Sequence, residues 1–202
     1  MAEDKLRDRK KKDEKTGWQK TVVLYLHDLI YMLVTIMVLF LLVFRVIVVS
    51  GSSMYNTLID GDYLLLVSNL FYQDPEYGDI IVASKESFDD GTPIIKRVIA
   101  TEGQTVDIDF VEGIVYVDGE ALQEDYTYTP TNVEEGMQFP LTVDENCVFA
   151  MGDNRNRSRD SRSPDIGQID KREILGRAIF LFLPGKNPET GEMQFSRIGA
   201  LS

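Results

Sequence analysis

One lysine and one short serine-rich run have the surroundings that covalent chemistry needs. The single histidine of the chain, His27, lies inside a long apolar stretch, so residues 51–202 contain no imidazole. A serine nucleophile there would need a carboxylate or a lysine of lowered pKa to accept its proton. Four lysines lie in that region, and three of them stand among polar or turn-forming residues. Lys96 differs, because it stands within an apolar run.

Lys96 follows Pro93-Ile94-Ile95, and on a strand it would share a face with Ile94 and Val98. An apolar strand face removes water from the ammonium group, which favours the neutral amine and makes it a candidate general base near neutral pH. The alternative is that Lys96 extends its ammonium group to solvent at a sheet edge. The residue pattern leaves both interpretations open.

The candidate nucleophile comes from the run Ser50-Gly51-Ser52-Ser53-Met54, which directly follows the long apolar stretch. Its small residues allow another part of the backbone to approach closely. Taken alone, this composition is more typical of an ordinary Ser/Gly linker. The run is therefore a nucleophile candidate only in combination with Lys96.

A third cluster, from Met151 to Arg162, contains four of the 12 basic residues that follow Gly51, together with Asp153 and Asp160. The alternative interpretation is a solvated polar loop. Alternating acids and bases at this density are more typical of an ordered network of hydrogen bonds and ion pairs. We therefore expect this loop to be part of the site.

The elements that must position these clusters are predicted to be strands. Glycine or proline separates most of the apolar runs, and Asp118-Gly119 is a hairpin signal. The sequence predicts a mostly β fold class, with a single antiparallel β domain over residues 46–202. The predicted strands are Tyr63–Val67, Asp79–Ala83, Ile94–Ala100, Thr105–Ile108, Ile114–Val117, Cys147–Met151 and Ile174–Leu183.

The stretch from Leu29 to Val49 has the length of a transmembrane helix. It contains 21 residues, roughly 31 Å as a helix, and Arg45 is its one charged residue. We predict an uncleaved anchor over residues 21–45, with β-branched residues 46–49 available for a first strand. Because residues 1–20 carry eight basic and five acidic residues, the positive-inside rule predicts a cytoplasmic amino terminus and a domain 46–202 on the other side of the membrane. The alternative is a buried core helix.

Composition excludes several classes of function. From Gly51 onward, 12 Lys and Arg face 27 Asp and Glu, a formal charge near −15 that disfavours nucleic acid as a partner. One cysteine, Cys147, and one histidine cannot form a cysteine-rich or histidine-rich zinc site. We therefore expect no cofactor and no metal.

Four short motifs, in this order, resemble those of bacterial type I signal peptidases, the membrane-anchored serine proteases that remove signal peptides from exported proteins. The resemblance extends from about residue 20 to residue 183. The motifs are Ser53-Met54 with Thr57-Leu58, Gly78-Asp79, Lys96-Arg97-Val98-Ile99 with Gly103, and Gly152-Asp153-Asn154-Arg155 with Ser158, Asp160, Ser161 and Arg162.

The resemblance implies a Ser-Lys dyad on a signal-peptidase-like β domain that follows a single transmembrane helix. Ser53 would attack the scissile carbonyl, and neutral Lys96 would take its proton and pass it to the leaving amine. Ser158 would orient the lysine amine. The resemblance also implies that Asp153 pairs with Arg97.

The same resemblance implies that Asp160 pairs with Arg162, so that the last loop is held against the lysine strand. The expected partners are the lipid bilayer and the signal peptides of preproteins, bound as an extended strand between residues 46–53 and 93–96. Met54 and Ile94 are the expected pocket walls. Gly51, also a candidate substrate contact, stands where some members have a serine that binds the oxyanion, which leaves the second oxyanion donor open.

Two further departures from the family pattern are Asn56, where proline is common, and four residues rather than two between Arg162 and Gly167. These two departures predict altered loops.

Two rival functions remain. One is a soluble, DNA-binding repressor that cleaves itself with the same type of dyad, which the anchor and the acidic domain disfavour. The other is a noncatalytic anchored protein that retains the fold.

Overall fold

The computed structural model describes residues 2–201, with the side chains of Trp18 and of residues 20–201. The chain divides into two compact units after Leu42. A single helix, α1, spans Ala2–Val43, and within it Lys20–Val43 is long and apolar enough to cross a membrane, with a mean hydropathy of 2.3. Most of the apolar side chains in Lys20–Val43 are exposed.

The second unit is built from short antiparallel strands in two sheets, as the alternating apolar runs predict, so the predicted fold class is confirmed. The larger sheet has the order β1-β2-β11-β3-β4-β9-β10, with β12 paired to β11, and the smaller has the order β7-β6-β5-β8. The strands are β1 Phe44–Val48, β2 Tyr63–Ser68, β3 Ile80–Ala83, β4 Ile94–Thr101, β5 Thr105–Asp109, β6 Ile114–Val117, β7 Glu120–Ala121, β8 Leu141–Thr142, β9 Cys147–Met151, β10 Ile169–Asp170, β11 Ile174–Leu183 and β12 Gly199–Ala200.

The hairpin predicted at Asp118-Gly119 joins β6 to β7, where Val117 pairs with Glu120. Both turn residues have positive φ, 52° for Asp118 and 82° for Gly119, as this type of tight turn requires. The first strand begins at Phe44, which pairs with Val67 of β2. The apolar stretch of the sequence therefore contains both the end of a helix and a strand.

Strand β4 is central, because β3 pairs with one of its edges and β9 with the other. Six consecutive residues, 95–100, are buried, so both faces of this strand are covered. One apolar core, which includes Met54, Leu58 and Ile95, joins the segment after β1 to β4. The fold thereby brings the serine-rich run and the lysine strand together.

Candidate active site

The serine-rich run forms an ordered turn. The Leu58 N–H donates to the Met54 carbonyl at 2.8 Å, and both of these side chains are buried. Gly51 has φ +89°, a left-handed conformation that favours glycine, and its N–H donates to Asp60 Oδ1 at 2.8 Å. We call residues 50–62 the nucleophile turn. Burial of Met54 and Leu58 fixes this turn on the sheet.

The side chains of Ser53 and Lys96 are in contact. Lys96 Nζ lies 3.0 Å from Ser53 Oγ, a hydrogen-bond distance, and also donates to the Ile95 carbonyl at 3.0 Å. Lys96 is only 4% exposed and sits on the central strand. The alternative in which it reaches solvent at a sheet edge is therefore wrong.

Burial lowers the pKa of Lys96 from 10.5 to about 8, because removing water from the ammonium group disfavours its charge. The carboxylates of Asp160, Glu135 and Asp153 oppose this shift, since each favours the ammonium form. The amine is consequently neutral in a useful fraction of molecules near neutral pH. A neutral amine next to a hydroxyl can act as its general base.

Asp153 connects the three parts of the site. Both of its oxygens accept from Arg97, at 3.0 Å from Nε and 2.9 Å from Nη2, and Oδ2 also accepts from the Thr57 hydroxyl at 2.5 Å. Asp153 and Arg97 are buried. A buried ion pair with two hydrogen bonds is geometrically specific, so it fixes the loop that begins at Gly152 against β4 and the nucleophile turn.

Asp160 and Arg162 form a second, fully buried ion pair. Arg162 Nε donates to Asp160 Oδ1 at 2.8 Å and Nη2 donates to Oδ2 at 2.9 Å. Burial alone would raise the pKa of Asp160, but the hydrogen bonds from Arg162 and from the Gly152 N–H hold it below its usual value. Asp160 therefore remains a carboxylate near Lys96.

Glu135 completes this cluster and was not singled out in the sequence. Its Oε1 lies 3.2 Å from Arg162 Nη2, and its Oε2 accepts from the Asp160 N–H. Burial, followed by the neighbouring Asp160 carboxylate, raises the pKa of Glu135 to about 7. Glu135 therefore changes its charge in a pH range that overlaps the titration of Lys96.

Arg155, fully buried, lies between two further residues that sequence reasoning missed. Its guanidinium donates to both oxygens of Glu124, at 2.7 and 2.5 Å, and to the Thr131 hydroxyl at 2.9 Å. The signal that could have found Glu124 and Glu135 is a charge argument. A loop with four basic residues in an acidic domain needs carboxylate partners from elsewhere in the chain.

Ser158 is buried near the dyad but does not contact it by a hydrogen bond. Among residues 2–201, its Oγ has no hydrogen-bond partner. A Cβ at Gly152 would lie 2.2 Å from Ser158 Oγ and 2.5 Å from the Ser53 carbonyl, so Ser158 and the nucleophile turn converge on this glycine. The expected hydrogen bond from Ser158 to Lys96 is not formed in this arrangement.

Two cavities border the nucleophile turn. The first has a volume of about 220 Å³, and Met54 and Ile94 line it together with Ser53 and Lys96. Gly51 does not line this cavity. It lines the second, of about 440 Å³, together with Ser52 and Tyr55 of the same turn.

Comparison with known proteins identifies relatives over most of the chain. The family model described as "Signal peptidase, peptidase S26" matches residues 21–183. "Probable signal peptidase I-1" of Synechocystis sp. is 38% identical over 143 residues, 67% of this chain and 69% of the relative. "Signal peptidase I" of Bacillus licheniformis is 32% identical over 149 residues, 70% of this chain and 77% of the relative. A crystal structure of a signal peptidase I from Enterococcus faecalis is 29% identical and covers 52% of this chain and 96% of its own, with a TM-score of 0.42.

Proposed function

Since the chain belongs to the signal peptidase family, peptidase S26, we propose that it cleaves signal peptides from exported preproteins with Ser53 as the nucleophile and Lys96 as the general base. The observation that carries this assignment is the 3.0 Å contact between Lys96 Nζ and Ser53 Oγ. The lowered pKa of Lys96 supports it.

In the proposed reaction, the Ser53 oxygen attacks the scissile carbonyl carbon while Lys96 Nζ takes the hydroxyl proton. The resulting ammonium group then donates that proton to the leaving amine, which releases the mature protein and leaves an acyl ester on Ser53. A water molecule, deprotonated by the same amine, hydrolyses the ester. One group thus acts as both base and acid.

The Ser53 backbone N–H is the proposed donor to the oxyanion. Among the described residues it makes no hydrogen bond, so it is available to a substrate oxygen. The N–H of Gly51 is already engaged by Asp60. Ser158 is proposed to orient the Lys96 amine, and its buried, unpartnered hydroxyl supports that role.

The smaller cavity is the proposed binding site for residues before the cut. Ile47, Ser50 and Pro93 line it, in addition to the dyad, Met54 and Ile94. These positions belong to the two segments between which an extended peptide is expected to lie. The volume of this cavity, about 220 Å³, is sufficient for side chains of an extended peptide.

The helix Lys20–Val43 has the length and composition of a membrane span, which supports association of the enzyme with the membrane. We further propose that residues 21–45 anchor the chain, that residues 1–20 are cytoplasmic, and that residues 46–202 act on the opposite side. The excess of basic residues before the apolar stretch supports this orientation.

The test is cleavage of a purified preprotein in detergent by the wild type and by Ser53→Ala and Lys96→Ala. Both variants should lose cleavage while retaining the circular dichroism spectrum of the folded protein. Lys171→Ala, which changes a lysine that contacts Glu102, is the matched control and should retain activity. Full activity in either dyad variant would reject the Ser-Lys mechanism, whereas absence of cleavage by the wild type would favour the noncatalytic alternative.

A further inference from the structure

The family match ends at residue 183, but the chain beyond it folds against the nucleophile turn. We call residues 184–198 the C-terminal segment. Its Gly185 N–H donates to Asp62 Oδ1 at 2.7 Å, and its Arg197 pairs with the fully buried Asp62 at 2.7 Å. Arg197 Nη2 also donates to the Thr57 carbonyl at 3.1 Å. An ion pair between partly buried Arg197 and buried Asp62 therefore fixes this segment on the turn that carries Ser53.

The contact is backbone against backbone at one point. A Cβ at Gly185 would lie 2.2 Å from the Asp60 carbonyl oxygen, so only glycine permits this approach. Further along, Glu189 Oε1 accepts from the Tyr55 hydroxyl at 3.0 Å. The backbones of Lys186 and Met193 form an antiparallel bridge, which closes residues 186–193, including Glu189, into a loop.

The cavity of about 440 Å³ lies between the nucleophile turn and the C-terminal segment. Gly51, Ser52 and Tyr55 form one wall, and Lys186 and Pro188 form the other. This cavity shares no lining residue with the smaller one, to which Ser53 and Lys96 contribute. A polypeptide that fills the smaller cavity up to the cut must continue past Ser53, and this second cavity borders the same turn.

We propose that this second cavity binds the substrate residues that follow the cleaved bond, and that Lys186 on its wall selects the charge of those residues. This inference rests on the proposed function. Lys186 is exposed, and among residues 2–201 its ammonium group has no ion pair. Asp60, the other charged lining residue, accepts from the Gly51 N–H through Oδ1, a contact that does not neutralise its carboxylate, so substitution of Lys186 is what isolates the contribution of the lysine. An acidic side chain after the cut would gain from Lys186, and a basic one would lose.

The test uses pairs of preprotein substrates that differ only by Glu or Lys at the second, third or fourth residue after the cut. The measured quantity is the ratio of kcat/KM for the Glu substrate to that for the Lys substrate. A purely structural defect changes both rates together and leaves this ratio unchanged. The enzymes are the wild type, Lys186→Gln, Lys186→Glu and, as the matched charge reversal elsewhere, Lys171→Glu.

At low salt we expect Lys186→Glu to lower this ratio about three- to tenfold at one or more of the positions; the effect is modest because exposed charge pairs are weak. Lys186→Gln should lower the ratio less, because it removes the positive charge without reversing it. The effect should shrink at high salt. Lys171→Glu should keep the wild-type ratio. Ser53-dependent cleavage with the same ratio in all four enzymes would overturn this inference and leave the proposed function intact. Absence of Ser53-dependent cleavage in the wild type would overturn both.

Discussion

Lys96 Nζ and Ser53 Oγ lie 3.0 Å apart although the two residues are 43 positions apart in the chain. The central strand β4 supplies the amine, and the turn after β1 supplies the hydroxyl. Because both faces of the strand are covered, the Lys96 amine is shielded from water by the core itself. The fold thus replaces an imidazole with a lysine whose pKa is lowered by burial.

The first prediction concerns Gly152, where the last loop meets the nucleophile turn. In Gly152→Ala the new Cβ would lie 2.5 Å from the Ser53 carbonyl, so the loop and the turn must separate. We expect kcat/KM to fall at least tenfold, because small displacements of reacting groups are costly. Gly199→Ala is the control, since a Cβ there would meet nothing within 4 Å, and it should keep wild-type kinetics. Equal activity of the two variants would contradict the close approach.

The second prediction concerns Glu135, whose carboxylate favours the ammonium form of Lys96. In Glu135→Gln that charge is absent, so the pKa of Lys96 should fall. The acid limb of kcat/KM should then move to lower pH by about half a unit. The neighbouring exposed residue provides the control, Glu134→Gln, which should leave the limb in place. A limb that moves upward, or moves equally in both variants, would show that Glu135 does not act on Lys96.

The third prediction is that the catalytic lysine costs stability. The pKa of Lys96 is lower in the folded than in the unfolded chain, so the unfolded state binds more protons between pH 8 and 10.5, and stability rises with pH in that window. Below pH 8 the folded protein must bury an ammonium group, a cost of about 3 kcal/mol relative to high pH. Lys96→Met removes this cost.

Thermal unfolding at several pH values measures the effect. The difference in Tm between Lys96→Met and the wild type should be more positive at pH 6.5 than at pH 9.5. Lys171→Met, which changes a partly exposed lysine, serves as the control and should show a smaller dependence on pH. A difference that does not change with pH would mean that Lys96 titrates alike in the folded and unfolded states.

Residue type and local spacing made Lys96 a candidate base, and the resemblance of four motifs to those of a known family was needed to identify the dyad. Lys96 stood out because a charged residue in an apolar strand run is unusual. Ser53 was identified by the resemblance, because Ser53-Met54 with Thr57-Leu58 is the first of the four motifs. Seven of the eight strands that have four or more residues were also predicted, since an apolar or alternating run of that length is a local signal. For the eighth, β1, the sequence offered only residues 46–49 as a possible first strand. The two-residue strands β7, β8, β10 and β12 carry no such signal and form only because a neighbour pairs with them.

The partners of the buried arginines could not be predicted in the same way. Arg155 meets Glu124 across 31 positions, and Arg197 meets Asp62 across 135. Which carboxylate reaches a buried guanidinium depends on the path of the loops, not on spacing along the chain. Similarly, the sequence indicated that Ser158 belongs to the site, but only the structure shows that its hydroxyl is unpartnered among the described residues.

The central claim is that a neutral Lys96 amine is the base, and the pH dependence of kcat/KM for a preprotein substrate tests it most directly. The rate should rise with pH through an apparent pKa near 8, because only the deprotonated amine can accept the Ser53 proton. A rate that is independent of pH between 5 and 9 would contradict the assignment.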